Sequence, residues 1–173
     1  FPEYQVPKIH GYFVNSSKIL SNQSKNKPGQ ILKVTKDAII ISTLDYDLNL
    51  HRDKTSELFE AAKNNNCKEA LECLNSEFDI NIRLGKNGFT PLIIASLNNS
   101  LDVLKILINN GADINRTCYK GITPLIYAVV NYKKTSNRLI YDFLISQGAK
   151  MELKDIYQKT IFDYVKEKKI VGL

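Results

Sequence analysis

The chain has 173 residues, of which 43% are hydrophobic and 24% charged, and its formal net charge is +6. We interpret this composition as that of a soluble globular protein with one or two modest cores. No apolar run is as long as a membrane-spanning helix and no signal peptide is recognisable, so we expect a cytoplasmic protein with no membrane partner.

The first residue, Phe1, and the position of the only methionine, Met151, suggest that the chain is part of a longer protein. Translation starts with methionine, and none is found near the beginning of this sequence. We therefore expect a further segment before Phe1, and that segment is expected to carry any catalytic chemistry.

Three cysteines, Cys67, Cys73 and Cys118, form an odd count without the spacing of metal ligands. The two histidines, His10 and His51, lie far from them in the sequence. We therefore predict reduced thiols, as is usual for a cytoplasmic protein, and no metal site.

Residues 1–52 are predicted to form a small antiparallel β-unit. Lys8–Val14 is rich in β-forming residues, and Ser21–Gly29 (SNQSKNKPG) is a cluster of turn residues. Two short apolar runs, Gln30–Val34 and Ala38–Thr43, are predicted to pair as a hairpin, and Asp45–Leu50 to add another short strand. Such a unit is marginal alone, so we expect it to pack on another surface.

Part of this unit resembles the small C-terminal β-domain of formyltransferases. That family includes methionyl-tRNA formyltransferase and the enzymes that formylate amino sugars on nucleotides. The resemblance rests on NKPGQIL at 26–32, KDAIIIST at 36–43 and DLNL at 47–50, and the sequence departs from the family at Ala38, where glycine is usual. A generic β-meander with a Pro-Gly turn is the alternative interpretation.

The rest of the chain is organised around a repeated stretch. Residues 87–116 recur as residues 120–154 with four inserted residues, and Gly88, Thr90 and Pro91 each recur 33 positions later. The threonine is predicted to cap a helix that begins at the proline, since the fixed φ of proline suits the first helical position.

This repeat resembles the ankyrin repeat, and the resemblance covers about two thirds of the chain. It implies a mainly α fold, an ankyrin-repeat solenoid preceded by the small antiparallel β-hairpin unit. The predicted divisions are 1–52 for the β-unit, 53–85 for a first capping repeat, 86–119 and 120–154 for two full repeats, and 155–173 for a final cap.

Further details of the repeats are also predicted. Ser100 is expected to cap the second helix of a repeat and Gly111 to end it in a left-handed conformation. The insertion is placed within 132–137, and Phe162 and Val165 are expected to dock the last helix. The inner helices are expected to stack through three alanines spaced by 33, Ala62, Ala95 and Ala128. Isoleucine replaces the usual ankyrin histidine in two repeats, at Ile93 and Ile126.

The two resemblances together imply the C-terminal portion of a dTDP-amino-sugar N-formyltransferase, because some such enzymes carry an ankyrin extension behind this β-domain. The family's His-x-Ser-x-Leu-Pro segment has no counterpart here, so no catalytic residue is assigned. Formyl-tetrahydrofolate is expected to bind the missing catalytic domain. The parent enzyme is expected to be a homodimer that serves the synthesis of bacterial lipopolysaccharide O-antigen.

The groove formed by the hairpin tips and inner helices is the candidate binding site. Tyrosines there are predicted to stack on the thymine of a dTDP-sugar, and cationic groups to neutralise its pyrophosphate. Few exposed apolar residues were expected at the tips beyond Phe89 and Ile156, which favours a small polar ligand. The candidate ligand-binding residues are Arg83, Lys86, Arg116, Tyr119, Lys120, Tyr127 and Tyr157.

Two alternatives remain open: an ankyrin module that binds another protein, and a structural element that braces or dimerises an enzyme. The charge is spread evenly, with 7 basic against 4 acidic residues in 1–52 and 17 against 14 in 53–173. Because no basic stripe forms, we do not expect nucleic-acid binding.

Overall fold

The structure, a computed structural model, describes residues 17–19, 31–34, 38–42, 47–51, 54–74 and 79–171. It divides the chain into two units, residues 1–54 and residues 55–173. The strand predicted at Lys8–Val14 and the turn cluster at Ser21–Gly29 lie outside the described residues.

The described part of the first unit is one antiparallel sheet with the strand order β1-β4-β3-β2. Ile40 of β3 pairs with Asn49 of β4, and Ile39 pairs with Val34 of β2. The consecutive isoleucines of β3 suit a strand that has a neighbour on each side. The strands are β1 Ser17–Ile19, β2 Ile31–Val34, β3 Ala38–Ser42 and β4 Asp47–His51.

The described part of the second unit contains seven helices and makes the chain mainly helical, as predicted. Alternate helices pack on one another to form an inner row, α1 on α3, α3 on α5 and α5 on α7, while α2 packs on α4. The helices are α1 Thr55–Asn64, α2 Cys67–Leu74, α3 Pro91–Leu97, α4 Leu101–Asn109, α5 Pro124–Thr135, α6 Leu139–Ser146 and α7 Ile161–Glu167.

Small residues allow the inner helices to approach closely. Ala62, Ala95 and Ala128 lie on three successive inner helices and are all buried, which confirms the predicted stack. Ile93 and Ile126, which stand where ankyrin repeats usually have histidine, are also buried. Their burial stabilises the unit by about 2 kcal/mol each, which offsets the hydrogen bond that a histidine would make.

The Thr-Pro pairs start α3 and α5 as predicted. The hydroxyls of Thr90 and Thr123 accept hydrogen bonds from the N–H groups of Ile93 and Ile126, each at 3.2 Å. Both threonines are buried, so these bonds satisfy donors that water cannot reach.

The cap predicted for α4 is wrong. Ser100 makes no side-chain cap bond, and its hydroxyl instead donates to the carbonyl of Lys63. The N–H of Val103 donates to Oδ1 of Asn65, in the preceding repeat, at 3.1 Å. Nδ2 of Asn65 donates to the Asp102 carboxylate at 3.0 Å, so the cap of α4 comes from the preceding repeat.

We expect Asn65→Gly to lower the free energy of unfolding by about 1 kcal/mol, because it removes this cap. Glycine keeps the left-handed backbone of Asn65, whose φ is +54°, but adds freedom to the unfolded chain, so the loss beyond that of a matched Asn→Gly control reports the side chain. Asn99→Gly is the matched control, since Asn99 has φ of +57° and a half-buried side chain that donates to the Thr135 hydroxyl at 3.3 Å rather than capping a helix. Chemical denaturation of both variants checks this, and equal losses would contradict the assignment.

The inserted residues of the third repeat lengthen its inner helix rather than a loop. Helix α5 has 12 residues against 7 in α3, and it is followed by its C-cap, Ser136, whose φ is +55°. The N–H of Ser136 donates to the carbonyl of Tyr132 at 2.7 Å, which closes the added turn.

The last helix docks differently from the prediction. Phe162 is 60% exposed, whereas Ile161 is buried and Tyr164 and Val165 are partly buried. Residues three and four apart share one face of a helix, so Tyr164 and Val165 lie on the same packed face as Ile161. Phe162 lies on the adjacent face, which is exposed to solvent. The docking of Val165 is confirmed, and that of Phe162 is wrong.

Candidate functional site

Three hairpin tips, residues 83–88, 116–121 and 154–158, form a continuous row that we call the tip row. The N–H of Tyr119 donates to the carbonyl of Asn87 at 3.1 Å, which joins the first tip to the second. The N–H of Ile156 donates to the carbonyl of Lys120 at 3.0 Å, which joins the second to the third. Side chains on successive tips therefore present one surface.

Asparagine side chains repeat the same connection at the base of each hairpin. Oδ1 of Asn81 accepts from the N–H of Asp113 at 2.7 Å, and Oδ1 of Asn115 accepts from the N–H of Lys150 at 2.9 Å. These contacts were not predicted from the sequence, although Asp-Ile-Asn recurs at 79–81 and 113–115. They hold the tip row rigid before any ligand binds, which lowers the entropic cost of binding.

The aromatic ring of Tyr119 lies directly over Gly88. A Cβ at residue 88 would lie 2.6 Å from the ring, and the backbone there has φ of +64°, so this position requires glycine on both counts. From the first tip, the Arg83 guanidinium lies 5.6 Å from the centre of the Tyr119 ring, and Nε of Arg83 donates to the carbonyl of Thr117 at 2.9 Å. Tyr119 is therefore held in place while remaining 59% exposed.

The tip row is more apolar than the sequence analysis predicted. Besides Ile156, it exposes Leu84, Tyr119 and Tyr157, the last to 62%. Phe89, which was expected to be exposed, is half-buried. The predicted scarcity of exposed apolar residues on the tips is therefore wrong, and it no longer favours a small polar ligand.

The structure places the seven candidate ligand-binding residues in different surroundings. It brings Arg83 together with Tyr119 on the tip row. Five of the seven are exposed, Arg83 is half-buried beside the Tyr119 ring, and Tyr127 lies apart on α5. The exposed five are Lys86, Arg116, Tyr119, Lys120 and Tyr157.

Tyr127 is engaged by its neighbours. Its ring meets that of Phe89 edge-on, with the ring centres 5.5 Å apart, and its hydroxyl lies 3.7 Å from Sγ of Cys118. Burial, and then the hydrogen bond with Cys118, raise the pKa of the Tyr127 hydroxyl well above its ordinary value. The phenol therefore stays neutral and supports the base of the hairpins.

A buried carboxylate supports the third tip. Oδ1 of Asp155 accepts from the N–H groups of Tyr157 and Lys159 at 2.8 and 2.9 Å, and Oδ2 accepts from the Tyr164 hydroxyl at 2.7 Å. Burial alone raises the pKa of Asp155, but these hydrogen bonds outweigh it and hold the pKa below its ordinary value. Asp155 thereby fixes Ile156 and Tyr157 in position, a role that was not predicted from the sequence.

The tip row carries positive charge without an exposed carboxylate among its own residues. Five basic side chains lie on it, and its one acidic residue, Asp155, is only 3% exposed. In residues 54–74 and 79–171, no group of three or more His, Cys, Asp or Glu side chains is arranged to hold a metal ion. The basic side chains are Arg83, Lys86, Arg116, Lys120 and Lys154.

Comparison with known proteins agrees with this geometry. A family model described as ankyrin repeats, in three copies, matches residues 58–155. The chain belongs to the ankyrin repeat family. The match covers most of α1, all of α2 to α6 and the first two tips, and it ends at Asp155, within the third tip.

Several relatives align with parts of this ankyrin chain. It is 33% identical over 98 residues to the BRCA1-associated RING domain protein 1 of Caenorhabditis elegans, covering 57% of this chain and 12% of that protein. It is 28% identical over 134 residues to a putative ankyrin repeat protein of Borreliella burgdorferi, covering 72% and 58%. It is 34% identical over 100 residues to the protein phosphatase 1 regulatory subunit 12A of Mus musculus, covering 58% and 9%.

The ankyrin chain therefore spans only 12% and 58% of the length of the first two of these relatives. Among the helices of the described residues, none is both long enough and apolar enough to cross a membrane.

Proposed function

We propose that this ankyrin chain is an interaction module that binds another protein through the tip row. The observation that carries the proposal is the exposure of Tyr119, Ile156 and Tyr157 on tips already fixed by hydrogen bonds to their neighbours. Protein interfaces are enriched in aromatic residues, and a few such anchors supply most of the binding free energy. Because these anchors are rigid, little entropy is lost when a partner covers them.

The relatives support a role in protein assembly. One of them is by name a regulatory subunit of a phosphatase, so its function involves another protein. A location in the cytoplasm belongs to the same proposal and is supported by the free thiols of Cys67 and Cys118.

The test is to purify the chain with its bound proteins from the cells that produce it, and to compare variants by mass spectrometry. We expect Tyr119→Ala/Ile156→Ser to lose the partner, with a fall in affinity of about a hundredfold, because each anchor is worth more than 1 kcal/mol. Leu139→Ser is the matched control, because Leu139 on α6 is 57% exposed, the same as Ile156. A partner that survives the tip change, or that only the Leu139 change removes, would contradict the proposal.

An auxiliary sugar-nucleotide site is a second candidate function. It is supported by the Arg83 and Tyr119 pair, since an exposed ring beside a guanidinium suits a base next to a pyrophosphate. The formyltransferase parent, its formyl-tetrahydrofolate and its dimer rest on the resemblance of residues 26–50 alone. None of the comparisons reported above supports them.

Calorimetry with dTDP and a dTDP-amino sugar tests this candidate. If the site exists, Tyr119→Ala is expected to weaken binding about tenfold, since base stacking on an aromatic ring contributes about 1 to 3 kcal/mol. Tyr157→Ala serves as the comparison on the neighbouring tip. Absence of heat at millimolar ligand would leave protein binding as the function.

A further inference from the structure

We propose that the partner segment recognised by the tip row is an acidic peptide. This inference rests on the proposed function and names the chemistry of its partner. Charge complementarity carries it, because the tips combine exposed cations with exposed apolar side chains and offer no exposed carboxylate of their own.

The cations of the tip row have no carboxylate from the tips to neutralise them. Asp155 is the one acidic residue within the three tips, and its carboxylate is already occupied by Tyr164 and by two backbone N–H groups. Lys86 and Lys120 are exposed on the first and second tips. A partner carboxylate that approaches them therefore replaces no existing ion pair within the tip row.

Apolar anchors lie between these charges. Tyr119 is adjacent to Lys120 in sequence, and the backbone of Lys120 is bonded to that of Ile156 on the next tip. A segment with acidic residues beside apolar ones meets both kinds of group at once. Charges set the rate and specificity of such a contact, while the apolar anchors supply affinity.

The tips favour a peptide over a nucleic acid. Each hairpin also carries an exposed carboxylate just before its tip, at Asp79, Asp113 and Glu152, which repels a polyanion that runs across the hairpins. A short extended peptide covers only the tips. Packed helices lie about 9 Å apart and an extended chain advances about 3.3 Å per residue, so about seven residues span three tips.

The test begins with selection of random peptides of about twelve residues, long enough to cross the tip row, on the full chain. Peptides that also bind Tyr119→Ala/Ile156→Ser are discarded, so that those retained depend on the tips. We expect the retained peptides to be enriched in Asp and Glu relative to the unselected library, with a negative mean net charge.

Fluorescence anisotropy with the selected peptides then tests the charges directly. Lys86→Glu/Lys120→Glu is expected to weaken binding at least about tenfold, and added salt to weaken wild-type binding, because exposed charges are screened. Lys68→Glu/Lys105→Glu makes the same charge change on exposed residues of α2 and α4 and is expected to leave binding within about twofold, as distant exposed charges contribute little.

The outcomes separate this inference from the proposed function. If the tip-dependent peptides are neutral or basic, the inference of an acidic partner is wrong, while the proposed binding of a protein stands. Equal weakening by the two lysine pairs also overturns it, as does a short DNA duplex of random sequence that binds as tightly as the peptides. A selection without tip-dependent peptides overturns it too, while the partner purification described above decides the proposed function separately.

Discussion

Replacing Asp155 by alanine is expected to lower the free energy of unfolding by about 3 kcal/mol, because a buried charged acceptor with three donors is removed. The Tyr164 hydroxyl and the N–H groups of Tyr157 and Lys159 lose their partner, and the third tip loses its support. Denaturant unfolding followed by circular dichroism measures the change. Tyr164→Phe removes only one donor and is expected to cost about 1.5 kcal/mol.

The control for this prediction is Asp142→Asn. Asp142 forms an exposed ion pair with Arg138 at 2.9 Å, and exposed pairs of this kind contribute little to stability. If Asp155→Ala costs no more than Asp142→Asn, the carboxylate of Asp155 does not support the tip.

The stabilisation by Asp155 is expected to depend on pH in one direction. Its pKa is lowered in the folded chain, so the contribution is complete above the unfolded pKa of about 4 and is lost as the pH falls through the lower folded pKa. The difference in unfolding free energy between wild type and Asp155→Asn should therefore be constant near neutral pH and shrink below about pH 4. A difference that grows on acidification would contradict the assignment.

Replacing Gly88 by alanine is expected to cost about 2 kcal/mol, because two penalties combine: a non-glycine residue at positive φ and displacement of the Tyr119 ring. The new Cβ would lie 2.6 Å from that ring, closer than carbon atoms approach. Because Tyr119 is also a proposed anchor, the variant is expected to bind the partner less tightly. Thermal unfolding and binding anisotropy measure the two effects.

Gly111→Ala separates the two penalties. Gly111 has φ of +89° and open space where a Cβ would lie, so it carries only the backbone penalty of about 1 kcal/mol. Adding Tyr119→Ala to Gly88→Ala removes the clash, and a double-mutant cycle should show a coupling of about 1 kcal/mol. Additive losses would mean that the ring does not lie against Gly88.

Much of the helical architecture could be predicted from local signals. The Thr-Pro pairs at 90–91 and 123–124 start helices because their capping geometry involves only residues three positions apart. The left-handed conformation of Gly111 was predicted for the same reason. The exposure of Tyr119 on a tip also follows from a polar, glycine-containing turn.

Other features depended on contacts between repeats. Asn65 caps a helix 38 residues further along, and Ser100, the local candidate, does not. Because Ile161 is the residue of α7 that is buried, Phe162 lies on an exposed face of the helix. The apolar character of Phe162 alone did not indicate this exposure. Phe89 is half-buried because its ring meets that of Tyr127 on α5, a contact between repeats.

By itself the sequence determined the repeat spacing, the start of the inner helices α3 and α5 and the alanines of their stack, because these depend on a period of 33 and on local backbone preferences. Only the tertiary structure decided which side chains join one repeat to the next. Asn81, Asn115 and Asp155 make contacts whose partners are defined by how repeats stack or how a turn closes on its helix. The tip row is one surface only because of contacts between repeats, since the residues that its backbone hydrogen bonds join, Asn87 with Tyr119 and Lys120 with Ile156, lie more than thirty positions apart in the chain.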